Sequence, residues 1–456
     1  MSRLLLHGGR VIDPARGYDR IADLLLIDGR IGALEEPDNV RSVTDAQVID
    51  CSGWWVMPGL IDPHVHLRDP GFPEKETIAS GLRAAAAGGF TTVAAMANTA
   101  PVNDDPKITR YMLDCAPEVR GARLVPVSAV TRNLAGRELV DGAAMAEAGA
   151  HLFSDDGIPI DDIALLQNAY GMVAMLDCAI SLHEEDRDLT AGGAMNAGAA
   201  ADRLGVCGIP VSAESARVRR DLALARGTGA AVHIAHISTA KALQMVREAR
   251  REGVAVTCEA TPHHFTLDDH AVLEFGPNAK MSPPLRAASD RAAIEAGIAD
   301  GTVDMIGTDH APHDPESKKA NRLGPLFHIG GQVDRLAPDD AHALASAANG
   351  IVGLETALGL VLALVHRGVI TAKRMVELMA VNPARLLRLS LAGNLAAGTA
   401  ADVTVVDPNQ EWTVNPAAFL SRSQNMPYTG MKLKGKALLT IVDGEIVHDA
   451  RHAGRF

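Results

Sequence analysis

Short apolar runs alternate with helical stretches through the middle of the chain. Eight of these runs have the length and composition of buried strands, and segments such as Glu76–Ala87 and Lys241–Glu252 have helical character and separate them. The predicted strands are Leu60–His66, Thr91–Met96, Leu124–Val130, Ala150–Ser154, Ile180–His183, Ala231–His236, Ala255–Glu259 and Asp304–Asp309. Eight strand–helix units over about 300 residues predict an α/β fold of the (β/α)₈ TIM-barrel type. A doubly wound open sheet is the alternative, because periodicity does not establish closure.

The two ends of the chain have a different pattern, in which β-rich runs flank Asp-Gly turns. Ala22–Ile31 and Thr440–Val447 each contain an Asp-Gly pair between such runs, and Ala401–Asp407 adds another strand. Asp-Gly between β-rich runs favours a two-residue hairpin. We therefore expect residues 1–57 and 388–456 to form two halves of one small β-domain, and residues 58–387 to form the barrel.

Composition and charge narrow the range of functions. The chain has 456 residues, of which 47% are apolar and 3% aromatic, so it can bury a large core rich in small aliphatic side chains. Its formal net charge is −13. Nucleic acids and anionic membranes both require concentrated positive charge, so neither is an expected partner.

The cysteines and the apolar runs indicate the cellular compartment. The five cysteines are scattered and show no CxxC spacing, which is typical of reduced thiols in a cytosolic enzyme. The N-terminal apolar run is too short for a signal peptide, and the run near Leu354–Val365 is too short to cross a bilayer. The sequence therefore predicts a soluble, cytoplasmic protein.

Metal-ligand side chains stand where four of the predicted strands end. His64 and His66 are two apart on one strand, so both imidazoles point to the same face and can reach one ion. On its own this pair would fit two hydrogen-bonded histidines equally well. His183, His236 and Asp309 end three other strands, however. Because barrel chemistry lies at the carboxyl ends of the strands, the joint pattern predicts a metal centre.

A second metal ion would need a bridging anion. A carboxylated lysine after strand four is one such device, but no lysine lies between Lys107 and Lys241. Asp155 and Asp156 follow that strand instead, and a carboxylate can bridge two ions. An Asp-Asp-Gly turn is the simpler explanation of these residues taken alone. We favour Asp156 as the bridge and Zn²⁺ as the metal, with manganese and cobalt as alternatives.

The sequence around the first strand resembles the dihydroorotase signature of the amidohydrolase superfamily. That segment is Met57–Gly71, which contains His-Val-His-Leu-Arg-Asp-Pro-Gly. The resemblance covers essentially the whole chain and includes the stretches Asn98–Val102, Ser154–Gly157, Thr261–His264, Thr308–His313, Ile351–Thr356 and Val381–Arg385. In having an aspartate in place of the carboxylated lysine, the chain resembles the bacterial long-chain (class I) dihydroorotases.

The resemblance implies roles for individual residues. The implied ligands of two divalent ions are His64, His66, Asp156, His183, His236 and Asp309, and Asp309 is also the implied proton carrier. The implied substrate contacts are His66, Arg68, Asn98, Ser282, His313, Asn349 and Gly350. A guanidinium independently suits a carboxylate substrate, which supports Arg68. Ala97, Ser282 and Asn349 depart from the family pattern, where proline, asparagine and phenylalanine are common.

The implied activity is reversible hydrolysis of L-dihydroorotate to N-carbamoyl-L-aspartate in de novo pyrimidine biosynthesis. Dihydropyrimidinase, hydantoinase and allantoinase are rival activities, but Arg68 argues against neutral rings. A non-catalytic subunit that scaffolds aspartate carbamoyltransferase is a rival of another class, and it would be expected to lose ligands. A barrel with unrelated surface histidines is the third alternative. The sequence leaves open a carbamoyltransferase partner and homo-oligomerisation.

Two further features lie outside the predicted ligand set. His263 and His264 are expected to be structural, since the ligand positions are already filled. The connection from Lys318 to Asn349 is long and contains the Gly-rich stretch His328–Gly331. We expect it to be a tolerated surface insertion rather than a mobile lid.

Overall fold

The computed structural model describes residues 2–36, 45–327, 333 and 335–451. Its strands are β1 (Arg3–Asp13), β2 (Tyr18–Ile27), β3 (Arg30–Glu35), β4 (Gln47–Asp50), β5 (Trp55–Pro58), β6 (Leu60–Val65), β7 (Phe90–Ala95), β8 (Arg123–Pro126), β9 (Leu152–Phe153), β10 (Ala179–Leu182), β11 (Met195–Asn196), β12 (Gly208–Ile209), β13 (Ala231–Ile234), β14 (Val256–Ala260), β15 (Met305–Ile306), β16 (Val403–Thr413), β17 (Lys432–Val442) and β18 (Glu445–Asp449).

The helices fall between the strands of the middle region and continue beyond β15. They are α1 (Ile78–Ala87), α2 (Pro106–Cys115), α3 (Gly142–Glu147), α4 (Ile163–Met175), α5 (Arg187–Thr190), α6 (Ala199–Leu204), α7 (Ser212–Ala225), α8 (Ala240–Arg251), α9 (Pro262–Thr266), α10 (Ala271–Phe275), α11 (Ala288–Asp300), α12 (Ala320–Leu323), α13 (Pro338–Ser346), α14 (Ala357–His366), α15 (Ala372–Val376) and α16 (Asn382–Leu386). A π-helical turn, Glu377–Val381, joins α15 to α16.

Strands from both ends of the chain lie in one mixed sheet. Its order is β18-β17-β16-β5-β1-β2-β3, with β4 also paired to β1. The two ends meet where β16 runs antiparallel to β5, in a register that pairs Val405 with Val56. Apolar side chains from both ends, including Leu6, Leu24 and Leu439, are buried in a shared core. Burial of this shared surface holds the two ends together.

Two-residue Asp-Gly turns form the predicted hairpins β2–β3 and β17–β18. The φ angles are 46° at Asp28 and 78° at Gly29, and 47° at Asp443 and 77° at Gly444. Positive φ at both central residues gives a turn whose twist matches that of the flanking strands, and Asp-Gly tolerates it. Both predicted hairpins are confirmed.

All eight strands predicted for the middle region are present. Parallel pairing joins β6-β7-β8 in one sheet and β15-β14-β13-β10-β9 in another. Isolated parallel bridges pair Ser128 with Phe153 and Val65 with His310, and so link the two sheets at both edges. The strands are buried along almost their whole length, because helices and neighbouring strands cover both of their faces.

Several strands end earlier than the sequence pattern predicted. The runs Leu124–Val130 and Asp304–Asp309 form continuous strands only over Arg123–Pro126 and Met305–Ile306. Regular strand pairing stops just before the candidate site residues His236 and Asp309. The backbone at both residues is left-handed, with φ of 33° at His236 and 46° at Asp309. Left-handed backbone at such residues is uncommon and costly, and functional sites are where it concentrates.

The long connection before residue 349 is partly helical. Its described residues include α12 and α13, and Leu323, Phe327 and Leu344 pack in a small core with residues of α6 and α10. The Gly-rich stretch His328–Gly331 lies outside the described residues. Within the described part of the chain, the structure contains no helix long and apolar enough to span a bilayer.

Candidate active site

The two histidines of the His-Val-His motif lie at the carboxyl end of β6, and each has a hydrogen-bond partner at its Nδ1 atom. His64 Nδ1 lies 2.6 Å from Glu259 Oε1, and His66 Nδ1 lies 2.9 Å from Asn98 Oδ1. A partner on Nδ1 fixes the ring orientation and directs Nε2 the other way. The Nε2 atoms of both rings consequently face Asp156 and Asp309.

Asp156 lies at the centre of four imidazoles. Its Oδ1 is 3.5 Å from His64 Nε2, from His183 Nδ1 and from His236 Nε2. Its Oδ2 is 3.4 Å from His66 Nε2. A carboxylate that faces ligands on both sides is in the position that a bridging group requires.

Asp309 and His183 complete the cluster. Asp309 Oδ1 lies 3.0 Å from His66 Nε2 and 3.7 Å from His64 Nε2. His183 Nδ1 lies 3.0 Å from His236 Nε2, whereas its Nε2 faces Glu185 Oε2 at 3.3 Å. The six residues expected to bind metal are therefore brought together from the carboxyl ends of five separate strands.

Burial and mutual contact determine the charges in this cluster. Burial favours the neutral form of Asp156, but His64, His183 and His236 outweigh it and hold the pKa of that carboxyl well below its usual range. Burial likewise opposes ionisation of Asp309, whose pKa is nevertheless lowered by His66 and His64. Both carboxylates are thus ionised at neutral pH and carry the negative charge that a divalent cation needs.

The donor set fits divalent metal ions. His64 Nε2 and Asp156 Oδ1 are buried and have no hydrogen-bond partner among the described residues. Ligand atoms lie within 4.8 Å of one another in two groups, which are His64 with Asp156 and His236, and His64 with His66 and Asp309. Imidazole nitrogen and carboxylate oxygen are the ligands that borderline divalent ions prefer. This arrangement supports the use of divalent metal.

Arg68 lies beside the cluster without a carboxylate partner. Its Nε donates to the Pro312 carbonyl at 3.3 Å, and its Nη2 is 3.3 Å from His313 Nε2. No described carboxylate lies within ion-pair distance of Arg68, and burial lowers the pKa of its guanidinium to about 10. Leaving a largely buried guanidinium without an ion-pair partner is costly, so an anionic substrate is the natural partner for it.

His313 contacts both Arg68 and Asn349. His313 Nε2 is 2.8 Å from the Asn349 carbonyl, to which it donates when it carries the proton. Burial, together with the positive charges of Arg68, Lys318 and Lys75, lowers the pKa of His313 to about 2, so the ring is neutral. A neutral imidazole can hydrogen-bond a carboxylate without adding a second buried charge.

Gly350 packs directly against His313. Its φ is 152°, and a Cβ added there would lie 2.7 Å from His313 Cδ2 and 2.6 Å from the Ala311 carbonyl oxygen. Only glycine permits an approach this close. The structure therefore brings together Arg68, His313, Asn349 and Gly350, which the resemblance implies as substrate contacts.

The remaining predicted residues have contacts that the sequence did not specify. Asn98 accepts from His66 Nδ1 and donates to Asp156 Oδ2 at 3.5 Å, so it contacts two members of the cluster. Ser282 Oγ donates to Glu185, next to His183. Asp155 accepts from the backbone of Val130 and thereby fixes the loop after β9.

Of the adjacent histidines His263 and His264, only His264 has hydrogen-bond partners that hold its ring in place among the described residues. His264 is held by the Thr261 hydroxyl at 2.7 Å and lies 3.1 Å from the Pro283 carbonyl. His263 is buried, and its Nε2 has no hydrogen-bond partner among the described residues.

Glu259 is a site residue that sequence reasoning missed. It is buried at the end of β14, where its Oε1 binds His64 and its Oε2 lies 3.3 Å from His233 Nε2. Its strand was predicted, and a carboxylate at that strand end was the available signal. No sequence pattern could show that it reaches His64, which is 195 residues away.

Replacing Glu259 with glutamine is expected to weaken metal binding about 10- to 100-fold, because the partner that orients His64 loses its charge. Zinc affinity should be measured by competition with a chelator of known affinity. Glu252→Gln, which changes an exposed carboxylate at the end of α8, is the matched control. Equal affinity in wild-type and Glu259→Gln proteins would show that Glu259 does not support the metal centre.

Comparisons with known proteins place the chain in a family. The sequence model described as Dihydro-orotase-like matches residues 53–242. A dihydroorotase from Syntrophus aciditrophicus is 46% identical over 447 residues, which are 98% of this chain and 99% of the relative. A dihydroorotase from Pelotomaculum thermopropionicum is 45% identical over 451 residues, with coverage of 98% and 99%.

The chain belongs to the dihydroorotase family. Solved structures with a similar fold include an L-hydantoinase (dihydropyrimidinase) from Arthrobacter aurescens, with a TM-score of 0.84, 25% identity and coverage of 98% of this chain and 96% of that one. The dihydropyrimidinase from Brevibacillus agri has a TM-score of 0.80 at 20% identity, with coverage of 98% and 95%. The dihydroorotase family thus shares an architecture with enzymes whose names denote other cyclic amides.

Proposed function

We propose that this protein is a dihydroorotase, which catalyses the reversible hydrolysis of L-dihydroorotate to N-carbamoyl-L-aspartate. Its family membership supports this, and the observation that carries it is the largely buried guanidinium of Arg68 beside the His/Asp cluster, which has no ion-pair partner among the described residues. Dihydroorotate has a ring carboxylate that can pair with Arg68, whereas dihydrouracil, hydantoin and allantoin have no carboxylate. The same observation argues against the rival activities.

We propose that the site holds two divalent ions, with Zn²⁺ as the favoured metal. The proposed ligands are His64, His66, Asp156, His183, His236 and Asp309. The central position of Asp156 among four imidazoles supports its role as the bridge. When bound, such ions lower the pKa of water toward neutrality and polarise the ring carbonyl.

The residues of the chain orient the substrate and move the proton. Arg68 and His313, with the backbone of Asn349 and Gly350, hold the ring carboxylate and so direct the scissile amide toward the His/Asp cluster. Asp309 takes the proton of the attacking water and passes it to the departing ring nitrogen. In ring closure the same carboxyl begins protonated and helps to expel water.

The proposed architecture is a closed (β/α)₈ barrel with a β-domain built from both ends of the chain. The parallel bridges Ser128–Phe153 and Val65–His310 support closure. The mixed sheet of β1–β5 and β16–β18 supports the division into residues 1–57, 58–387 and 388–456. Active sites of such barrels lie at the carboxyl ends of the strands, where the His/Asp cluster lies.

We propose a cytoplasmic enzyme that acts on a small molecule and is catalytic in its own right. All six proposed ligands are present and adjacent, which argues against a non-catalytic subunit. A carbamoyltransferase partner and self-association are open alternatives for the assembly.

The test is turnover of L-dihydroorotate against dihydrouracil, hydantoin and allantoin by the purified protein with zinc and without a partner. We expect a clear preference for dihydroorotate that chelation abolishes and metal restores. Preference for a neutral ring would refute the proposed substrate and the role of Arg68. If dihydroorotate is turned over only when aspartate carbamoyltransferase is added, the enzyme requires its partner.

A further inference from the structure

An irregular segment of the C-terminal region, Ser421–Asn425, lies against loops of the candidate active site. Its side chains alternate, so that Ser421, Ser423 and Asn425 are buried while Arg422 and Gln424 are exposed. This is the period of two that an extended chain gives. The buried side is polar rather than apolar, which implies that specific hydrogen bonds hold it in place.

Each buried side chain of the segment bonds to the neighbouring loops. Ser421 Oγ donates to Glu76 Oε2 at 2.5 Å, and Ser423 Oγ donates to the Lys75 carbonyl at 2.7 Å. Asn425 is 5% exposed and makes the largest set of contacts. The segment therefore fastens the C-terminal region to the loops where strands of the middle region end.

Asn425 joins two loops that carry predicted substrate contacts. Its Oδ1 accepts from the His313 backbone N–H at 3.0 Å. Its Nδ2 donates to the carbonyls of Ala311 at 3.0 Å and Gly350 at 2.9 Å, and its own carbonyl accepts from Val352 N at 3.0 Å. The carboxamide thus uses both of its ends to hold the loop after β15 against the loop that contains Gly350.

The relative position of these loops determines the shape of the proposed carboxylate subsite. Gly350 packs on His313 too closely to admit a Cβ, and the Asn349 carbonyl lies 2.8 Å from His313 Nε2. Lys318 Nζ also binds the Gly350 carbonyl, at 2.9 Å. A small shift of either loop would move His313 relative to Arg68, and misplacement of about 1 Å is costly to an active site.

We propose that Asn425 is a positioning residue that determines the affinity of the active site for the substrate carboxylate. It acts by fixing His313 and Gly350 relative to Arg68, and its side-chain hydrogen bonds go to backbone atoms of His313, Ala311 and Gly350 rather than to the proposed metal ligands. This inference rests on the proposed dihydroorotase function. It assigns a substrate-binding role to a residue more than 100 positions beyond His313 in the sequence.

The test is a comparison of kcat, KM and bound zinc in wild-type, Asn425→Ala and Asn425→Asp proteins with L-dihydroorotate. Asn425→Ala removes all the side-chain bonds. Asn425→Asp has nearly the same size and retains the acceptor for His313 N–H, but it replaces the donor to the Ala311 and Gly350 carbonyls with an oxygen. The bound zinc of each variant, together with its thermal unfolding temperature, shows whether the variant has folded. We expect both changes to raise KM about tenfold or more, with kcat within about threefold and zinc content unchanged. The exposed neighbour supplies matched controls, Gln424→Ala and Gln424→Glu, which should leave KM unchanged.

A KM within twofold of wild type in both Asn425 variants would overturn the inference. So would a fall in kcat or in bound zinc without a rise in KM, because that pattern denotes a role at the metal centre or in folding alone. Absence of dihydroorotate turnover by the wild-type protein would refute the proposed function and this inference together.

Discussion

Replacing Asp309 with asparagine is expected to lower kcat about 10²- to 10⁴-fold in both directions, because the change removes the proposed proton carrier. Asp309 lies next to both histidines of the His-Val-His motif, with its Oδ1 3.0 Å from His66 Nε2. A carboxamide nearly matches the carboxylate in shape and keeps an oxygen that can bind metal. It cannot take up a proton from water at neutral pH or release one to a leaving nitrogen.

Bound metal should be largely retained in the Asp309→Asn protein. Five of the six proposed ligands remain, among them Asp156, which contacts four imidazoles. Rates should be measured from L-dihydroorotate and from N-carbamoyl-L-aspartate, with zinc determined on the same samples. Asp114→Asn, at an exposed position of α2, is the matched control. Turnover close to wild type with full metal content would refute the proton-carrier role, and loss of zinc would show that Asp309 acts chiefly as a ligand.

Much of the fold could be predicted because local patterns encode it. The eight parallel strands are short apolar runs between helical segments, and the hairpins at Asp28 and Asp443 contain a dipeptide that favours one turn type. Strand ends were less predictable. Whether an apolar residue at the edge of a run still pairs depends on its neighbour in space, as the two-residue β9 and β15 illustrate.

The candidate site also has one part that the sequence predicted and one part that it did not. His64, His66, Asp156, His183, His236 and Asp309 stand at the carboxyl ends of parallel strands, which lie at one edge of a sheet, so their proximity followed from the predicted topology. The residues that support these ligands could not be predicted from topology. Glu259 behind His64 and Asn425 between two loops are recognisable only once distant parts of the chain are adjacent, because either side chain would equally suit a solvent-exposed turn or strand end.

Replacing Arg68 with methionine is expected to lower kcat/KM for L-dihydroorotate about 10²- to 10³-fold, since the carboxylate would lose its charged partner in a buried site. Arg68→Lys should fall between Arg68→Met and wild type, because it keeps the charge without the planar fork. The effect should be specific to the carboxylate. The low activity expected on dihydrouracil, which has no carboxylate, should change little, so the preference for dihydroorotate should fall by the same factor.

Specificity for the carboxylate distinguishes a substrate contact from a structural arginine. Arg68 also bonds to the Pro312 carbonyl, so its loss could in principle disturb the loop that carries Asp309. A disturbed loop would lower turnover of both substrates in proportion, whereas a lost ion pair affects only the anionic one. Arg422→Met, at an exposed arginine of the Ser421–Asn425 segment, controls for the loss of a positive charge near the site. Equal losses on both substrates would therefore remove the main argument for an anionic substrate and reopen the neutral-ring alternatives.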